Sequence, residues 1–385
     1  MREVAVVGVG MHAFGAWKGV PVARLVREAG RKALADAGLS FRDVGEAYVG
    51  HMQHPPMKAV LWMKEFGLTG IPITHVEDAS ATGSVAFREA VRAVAGGFCD
   101  VAMAIGVEKF TELTGAQVQR GQRDIEGTIL PVAFFAMWAQ RRMHDRGTRP
   151  EHLARVAAKS WNHGALNPMS HRRPDHTVTP EEVLASKAIA DPLTAMMCCP
   201  VSDGAACAIV AAREVAERLQ PDRPLVTVRA SVLRSETYTK GHTFLGAVVG
   251  PAQMTADTAR AAYEQAGIGP EDLSLVQVHD AFAIEELEYY ELLGICRPGE
   301  AEGLVESGAT ALGGRIPFST DGGLLARGHP GGPTGLAQIW ETVHQLRGTA
   351  GARQVPNARF GLCHLVGGGS VCCIHVLARE DAHPA

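Results

Sequence analysis

The sequence predicts an α/β protein made of two similar halves. Short apolar, β-branched runs alternate with helical patterns, as where residues 4–9 are followed by residues 23–37, and this alternation is typical of βαβ units with a parallel sheet. In addition, residues 35–51 resemble residues 264–280 in a helix end, a turn and the strand that follows. The repeat indicates that the two halves share one folding unit.

Threonine and glycine positions support the same division. The Thr-Gly pairs at 82–83 and 334–335 are each followed, at the same distance along the chain, by a further glycine, Gly96 or Gly348. The correspondence spans a helical pattern in both copies, so we expect a related helix in each half.

The first half is interrupted by a segment of different composition. Residues 111–197 are richer in Arg, His, Pro and Trp than their flanks and show no regular strand pattern, which indicates an inserted loop domain. Residues 203–212 then have the pattern of a returning strand. We therefore expect an N-terminal half at 1–110 and 198–223, the loop domain at 111–197, and a C-terminal half at 224–385.

Composition excludes several classes of function. The 385-residue chain is 46% hydrophobic, enough for one large core or two medium ones, and its net charge of −4 provides no basic surface for nucleic acid. No apolar stretch is long enough for a membrane span and no leader-like start is present, which predicts a cytoplasmic protein. None of the eight cysteines forms a CxxC pair, so we expect reduced core thiols and no metal site.

Ser80 is the first candidate for a chemical role. It lies in a run of small residues at 79–84, between an apolar stretch and the helical pattern at 85–95. A side chain at the start of a helix is close to backbone N–H groups that stabilise a thiolate or an oxyanion. This is a nucleophile's context, although a serine that caps the helix is the simpler interpretation.

Two histidines stand where ligand sites commonly form. His279 follows the predicted strand at 275–278, and open α/β sheets bind ligands at the carboxyl ends of their strands. His329 lies in the glycine-rich turn at 322–335, where the backbone can approach a ligand closely.

A third histidine, His364, follows Cys363 and precedes another glycine-rich turn. Each histidine alone is more often structural. Together with the Ser80 hydroxyl, however, three imidazoles would serve acyl transfer as acids, bases or oxyanion donors.

At these residues the sequence resembles the thiolase superfamily, and within it the sterol-carrier-protein type and its bacterial relatives, over essentially the whole chain. The matching segments are residues 79–84, His-Asp-Ala-Phe at 279–282, Gly-His-Pro at 328–330 and the glycine-rich segment after Cys363. The resemblance implies two βαβαβαββ halves in a five-layered αβαβα core, with an inserted loop domain that covers coenzyme A (CoA).

The resemblance also implies roles for the site residues. The family has its nucleophilic cysteine where this chain has Ser80. His329 would activate that nucleophile and polarise the thioester carbonyl. His279 would help to hold the thioester oxygen, directly or through water.

The family's second acid and base is a cysteine, and this chain lacks it at both usual positions. Leu365 and Ala281 stand there instead. His364 would have to substitute, with Cys363 as an alternative.

Ser80 leaves three interpretations of function. In the favoured one, the chain is a Cys-to-Ser variant of a thiolase that uses CoA to cleave a 3-oxoacyl-CoA with a bulky or aromatic acyl group. In the second, it cleaves a 3-hydroxyacyl-CoA by a retro-aldol reaction without a covalent intermediate. In the third, it is a non-catalytic acyl-CoA-binding subunit of a complex. A serine hydroxyl is a weaker nucleophile than a thiolate, and its ester would resist transfer back to CoA.

Finally, the resemblance implies CoA and acyl-CoA as substrates, with no permanently bound cofactor. It implies a homodimer formed through the nucleophile-bearing half, and a small partner protein with an OB-fold and a zinc ribbon that completes a heterotetramer. Loop-domain arginines that would meet phosphates are Arg141, Arg142, Arg172 and Arg173. Candidate walls of the acyl pocket include Met52, His54, Met57, Trp62 and Met63.

Overall fold

The structure is a computed structural model that describes residues 1–112, 131–237, 252–368 and 370–380. Its strands are β1 (Val4–Gly15), β2 (Glu46–Gly50), β3 (Ile73–Val76), β4 (Val101–Lys109), β5 (Ala188–Ala190), β6 (Leu193–Thr194), β7 (Asp203–Ala212), β8 (Leu225–Ser235), β9 (Leu275–Gln277), β10 (Phe360–Gly367) and β11 (Val371–Glu380). Its helices are α1 (Val22–Ala37), α2 (Lys58–Met63), α3 (Thr82–Ala95), α4 (Pro131–Arg146), α5 (Pro150–Ala165), α6 (Pro180–Ala185), α7 (Arg213–Leu219), α8 (Ala252–Ala266), α9 (Ala283–Leu292), α10 (Ala301–Glu306), α11 (Gly323–Ala326) and α12 (Gly331–Arg347).

The two halves have matching strand orders. The first half runs β3-β2-β4-β7-β1 and the second β8-β11-β10-β9, with Phe318 bridged to Val276 beyond β9. The halves meet where Ala5 of β1 pairs with Thr227 of β8. With the Phe318 bridge in the position of β3, the second half therefore has the strand order of the first half in reverse. This confirms the prediction of two similar halves.

The prediction of a parallel sheet was wrong for much of this core. Of the described strands, β2 is parallel to β3 and β4, and β9 is parallel to β10, whereas β1, β7, β8 and β11 pair antiparallel with their neighbours. The cause is that β7 returns between β1 and β4 after the inserted segment. A strand buried on both faces has the same apolar pattern in either direction, so the sequence does not reveal its orientation.

The apolar faces of the helices and strands determine how the layers of the fold pack together. Helix α1 covers the outer face of the first half, α8 and α9 cover that of the second, and α3 and α12 pack against each other between the two. Phe87 of α3 and Leu336 of α12 are fully buried in this middle layer. Burial of each such side chain contributes roughly 1.5–3 kcal/mol.

The repeated segment has the same local structure in both copies. Helices α1 and α8 end at glycines in the left-handed conformation, Gly38 (φ 69°) and Gly267 (φ 69°). A short turn follows, in which a carboxylate of Asp43 or Asp272 accepts the backbone N–H three residues earlier at 2.8 Å. The next strand, β2 or β9, then begins. The repeat in sequence is thus a repeat of caps and turns as well as of hydrophobicity.

The segment between β4 and β7 contains α4, α5, α6 and the short β5–β6 hairpin. The expectation of no regular strands there therefore missed one hairpin. Residues 113–130 of this segment, and residues 238–251, Gly369 and 381–385 of the C-terminal half, lie outside the described residues. The three domain boundaries stay predictions. Within the described parts of the chain, no helix is both long and apolar enough to cross a membrane.

Candidate active site

The N-terminal ends of α3 and α12 cross at glycines. A Cβ at Gly335 would lie 2.2 Å from the Ser84 hydroxyl oxygen, and a Cβ at Gly83 would lie 2.6 Å from the Gly332 carbonyl oxygen. Only glycine permits so close an approach at these positions. The crossing brings the segments that precede the two helices together, although they come from different halves of the chain.

Ser80 lies in the first of these segments. Its neighbour Ala79 has a left-handed backbone (φ 48°), an uncommon conformation for a residue with a Cβ and one that clusters at functional sites. Ala81, not Ser80, is the N-cap of α3, and no side chain caps this helix end. The interpretation of Ser80 as a helix cap is therefore wrong.

The Ser80 hydroxyl instead contacts His329 of the second segment. Its Oγ lies 3.0 Å from His329 Nε2, and His329 Nδ1 lies 2.9 Å from the Thr334 hydroxyl. Thr334 donates its own proton to the Pro330 carbonyl at 2.7 Å, so it must accept from Nδ1–H. Nε2 then carries no proton and accepts the Ser80 hydroxyl proton. The geometry is that of a nucleophile hydrogen-bonded to a base.

The environment keeps His329 neutral. Burial lowers the pKa of His329 well below its ordinary value, and the nearby His279 and Arg327 lower it further. Burial disfavours the charged imidazolium, and a neighbouring cation acts in the same direction. His329 is therefore a proton acceptor at neutral pH.

His279 stands beside His329 at the end of β9. The two rings lie 5.2 Å apart between centroids and are nearly perpendicular. His279 Nδ1 lies 2.7 Å from a carboxylate oxygen of Glu285, and its buried Nε2 has no hydrogen-bond partner among the described residues. The structure thus places Ser80, His329 and His279 in one cluster.

His364 and Cys363 are placed differently. His364 is fully buried behind His279: its Nδ1 lies 3.5 Å from the His279 backbone nitrogen, its ring contacts Tyr289, and burial lowers its pKa to about 3. Cys363 points to the other face of β10, where its sulfur lies 3.1 Å from the Thr342 hydroxyl. Burial raises the pKa of Cys363 to about 12. Neither residue has a described hydrogen bond to Ser80 or His329.

The two positions at which the resemblance implies a second cysteine are apolar here. Ala281 and Leu365 are both buried. A different cysteine, Cys199, is near: its backbone N–H donates to the Ala281 carbonyl at 2.8 Å. Burial raises the pKa of Cys199 to about 12. Cys199 was not predicted as a neighbour of the site, because 82 positions of chain separate it from Ala281.

Two further residues were missed as contributors to the site. In the sequence, Thr334 stands out only as part of the Thr-Gly repeat, yet its hydroxyl orients His329. Glu285 stands three residues after Phe282, the spacing of a helix capping box. That spacing was the available signal for a carboxylate at the start of α9, next to His279.

The residues expected to line the acyl pocket lie in different environments. Met52 lies against Gly331, where a Cβ would fall 2.1 Å from the Met52 sulfur, so this side chain is close to the His329 turn. Met57 is 75% exposed, and Met63 is fully buried in the core beneath α1. Met52 is therefore the best placed of these three to contact a ligand in the site.

The arginines expected to meet CoA phosphates also differ. Arg142 is buried and pairs with three glutamates. Arg172 donates to two backbone carbonyls and lies over the Trp161 ring at 4.7 Å. These two hold the loop segment to the core. Arg141 and Arg173 are exposed and remain accessible to an anion.

Family models match both halves of this fold. A model of the thiolase N-terminal domain matches residues 4–214, and a model described as thiolase C-terminal domain-like matches residues 248–379. The first alone spans more than half of the chain.

Curated relatives are similar over nearly the whole chain. An acetyl-CoA acetyltransferase of Methanothermobacter thermautotrophicus is 38% identical over 98% of this chain and 100% of its own length. The benzoylsuccinyl-CoA thiolase subunit BbsB of Thauera aromatica is 37% identical over 96% of this chain and 95% of its own. Human sterol carrier protein 2 is 35% identical over 96% of this chain and 71% of its own.

Solved structures have the same fold. An Ltp2-ChsH2(DUF35) aldolase superposes with a TM-score of 0.83 at 24% identity, with 98% of both chains covered. Human mitochondrial 3-ketoacyl-CoA thiolase in complex with CoA superposes with a TM-score of 0.71 at 16% identity, covering 99% of this chain and 98% of the other. From its two domain matches and its relatives, this chain belongs to the thiolase family.

Proposed function

We propose that this chain is a thiolase-type acyltransferase that acts on a 3-oxoacyl-CoA, with CoA as co-substrate. The observation that carries the proposal is the contact of 3.0 Å between the Ser80 hydroxyl and His329 Nε2, with Nδ1 held as the proton-bearing nitrogen by Thr334. A hydroxyl that donates to a neutral imidazole is arranged for attack on a carbonyl carbon. The relatives' names, an acetyltransferase and a thiolase, support acyl transfer between CoA thioesters.

The acylation step follows from this geometry. Ser80 Oγ attacks the 3-oxo carbon while its proton passes to His329 Nε2. The bond between C2 and C3 breaks, which leaves the acyl group as an ester on Ser80 and releases the enolate of acetyl-CoA. His329 returns the proton to C2 of the enolate. No second acid is needed for this half of the reaction.

The return step is where a serine differs from a cysteine. An oxygen ester is more stable than a thioester, so the CoA thiol displaces Ser80 from the acyl group against an unfavourable equilibrium. Ser80 also lacks the accessible anionic form of a thiol. We therefore expect this chain to acylate and then to turn over slowly.

A retro-aldol reaction is the second candidate, and the apolar residues at 281 and 365 favour it. A base would remove the hydroxyl proton of a 3-hydroxyacyl-CoA, the bond between C2 and C3 would break, and the proton would return to C2. No acyl-enzyme forms in this reaction, so neither family cysteine is required. The aldolase Ltp2-ChsH2 indicates that the thiolase fold accommodates such chemistry.

The proposal extends to assembly. One solved relative is a complex of Ltp2 with ChsH2(DUF35), and BbsB is named as a subunit. We infer that this chain also forms a homodimer and binds a small OB-fold and zinc-ribbon protein. Light scattering of the purified chain, alone and with such a protein, measures both associations; a monomer that binds no partner would contradict them.

Assays with one panel of substrates distinguish the thiolase, the aldolase and the non-catalytic subunit. The chain and its Ser80→Cys and Ser80→Ala variants are given 3-oxoacyl-CoA and 3-hydroxyacyl-CoA substrates, including aromatic ones, with and without CoA, and intact mass reports any acyl-enzyme. Thiolase chemistry predicts a slowly resolved acyl-Ser80 and rapid CoA-dependent cleavage by Ser80→Cys. CoA-independent cleavage of 3-hydroxy substrates that survives in Ser80→Ala would favour the aldolase, and binding without either reaction would favour the non-catalytic subunit.

A further inference from the structure

We propose that Glu285 is a positioning residue that makes His279 a proton acceptor rather than an oxyanion donor. The inference rests on the proposed function and changes one part of it, the role that the family resemblance implies for His279. It identifies the base that replaces the missing second cysteine.

Glu285 is held in place by the start of α9. One carboxylate oxygen accepts the Phe282 backbone N–H at 2.9 Å, and the other lies 3.3 Å from the Tyr289 hydroxyl and 2.7 Å from His279 Nδ1. Its side chain is 1% exposed. The first two contacts are with groups that donate, so the carboxylate oxygens are arranged as acceptors at the third contact as well.

This arrangement determines which nitrogen of His279 carries the proton. Nδ1 must donate to Glu285, so Nε2 of the neutral ring has a free lone pair. Nε2 is buried and has no partner among the described residues, and the ring lies against that of His329. A neutral His279 thus cannot donate a hydrogen bond to a thioester oxygen from Nε2, but it can accept a proton there.

The same carboxylate can stabilise the ring during proton transfer. When Nε2 takes a proton the ring becomes positively charged, and a carboxylate 2.7 Å from Nδ1 stabilises that charge in a buried site. In the return step, the CoA thiol proton passes to His279 Nε2 and the thiolate attacks the ester carbon. The bond from that carbon to Ser80 Oγ then breaks, and Oγ regains the proton from His279. One base supplies both transfers, and no other reactant is needed.

The test compares Glu285→Gln with Tyr289→Phe. The glutamine amide oxygen can still accept from Phe282, which leaves its NH₂ group facing Nδ1. His279 is then expected to move its proton to Nε2. Tyr289→Phe removes one hydroxyl from the same carboxylate but keeps the carboxylate itself, so it should leave the proton on Nδ1. Thermal unfolding of both variants checks that α9 still forms.

Two readouts are needed. Nitrogen-15 NMR of the histidine rings, assigned with His279→Asn, should show an unprotonated Nε2 in the native chain and in Tyr289→Phe, and a protonated Nε2 in Glu285→Gln. In the Ser80→Cys background, Glu285→Gln should lower the kcat of CoA-dependent cleavage by about a hundredfold or more with little change in KM.

A protonated Nε2 in the native protein, or a Glu285→Gln enzyme that keeps its kcat, would overturn the assignment. The NMR result does not depend on any substrate. If no 3-oxoacyl-CoA is cleaved by any variant, the proposed function fails while the spectrum still decides which nitrogen of His279 carries the proton.

Discussion

The Ser80 hydroxyl lies 3.0 Å from Nε2 of His329, although 249 positions of chain separate the two residues. Equivalent threonines of the internal repeat hold both sides of the contact. Thr82 donates to the Ala79 carbonyl at 2.6 Å and accepts a backbone N–H from Asp78, which shapes the Ser80 turn. Thr334 donates to the Pro330 carbonyl and orients His329. In each half, a threonine hydroxyl that donates to a backbone carbonyl of the preceding turn therefore positions a site residue: the nucleophile in one half and the base in the other.

Replacement of Thr334 by valine should slow acylation of Ser80. Valine has a similar shape but leaves His329 Nδ1 without an acceptor, so the imidazole no longer favours the form with a free Nε2. We expect the acylation rate to fall about tenfold or more and the free energy of unfolding to fall by about 1–3 kcal/mol. Intact-mass time courses and urea unfolding measure the two effects. Thr334→Ser keeps the hydroxyl and is the control; an unchanged rate in the valine variant would disprove this role.

Acylation should be insensitive to pH near the ordinary pKa of histidine. Because burial lowers the pKa of His329 well below its usual value, the ring stays deprotonated as the pH falls through that value. The Ser80 hydroxyl does not titrate in this range, so the rate should be flat from about pH 7.5 to 5.5. Rates of acyl-enzyme formation, with circular dichroism to check folding, test this. A decline centred on pH 6.5 would show that His329 is solvated like a free imidazole.

Alanine at Gly335 should disturb the crossing of α3 and α12. Its Cβ would lie 2.2 Å from the Ser84 hydroxyl oxygen, so the helices must separate, at a cost of about 1–3 kcal/mol in the free energy of unfolding. The Ser80–His329 contact should lengthen and acylation should slow.

The matched control is Gly303→Ala in α10. Among the described residues, and apart from its chain neighbours and the backbone of its own helix, no atom lies within 4 Å of a Cβ built at Gly303. Alanine should therefore be neutral or stabilise by about 0.5–1 kcal/mol. Equal unfolding curves for the two variants would contradict close packing at the crossing.

Arg142 should be required for stability rather than for CoA binding. It lies 2.5–3.2 Å from Glu288, Glu291 and Glu302 in a buried cluster. Arg142→Met leaves these carboxylates without their cation and should cost about 3–5 kcal/mol. Arg141→Ala, at an exposed pair with Asp145, should change the free energy of unfolding by less than about 0.5 kcal/mol. Urea unfolding compares them. An Arg142→Met protein of normal stability with a raised KM for CoA would reverse this assignment.

Local sequence determined much of the fold. The strand predicted at 203–212 is β7 at those residues, and the helix predicted at 23–37 is α1 within one residue. These elements follow from hydrophobic periodicity and from glycine at helix ends, which act over a few residues. The internal repeat was visible for the same reason, because its caps and turns recur at equivalent positions. The candidates Ser80, His279 and His329 were recognisable from their motifs.

Only the tertiary structure decided the direction of β7, the placement of Cys363 away from the other site residues, and the burial of Arg142 among glutamates. It also decided that Ser80 contacts His329 instead of capping α3. Each of these depends on partners that are distant in the chain, which periodicity and spacing do not encode. The proton positions on His279 and His329 also depend on the tertiary structure, because a hydrogen-bond partner determines which ring nitrogen carries the proton.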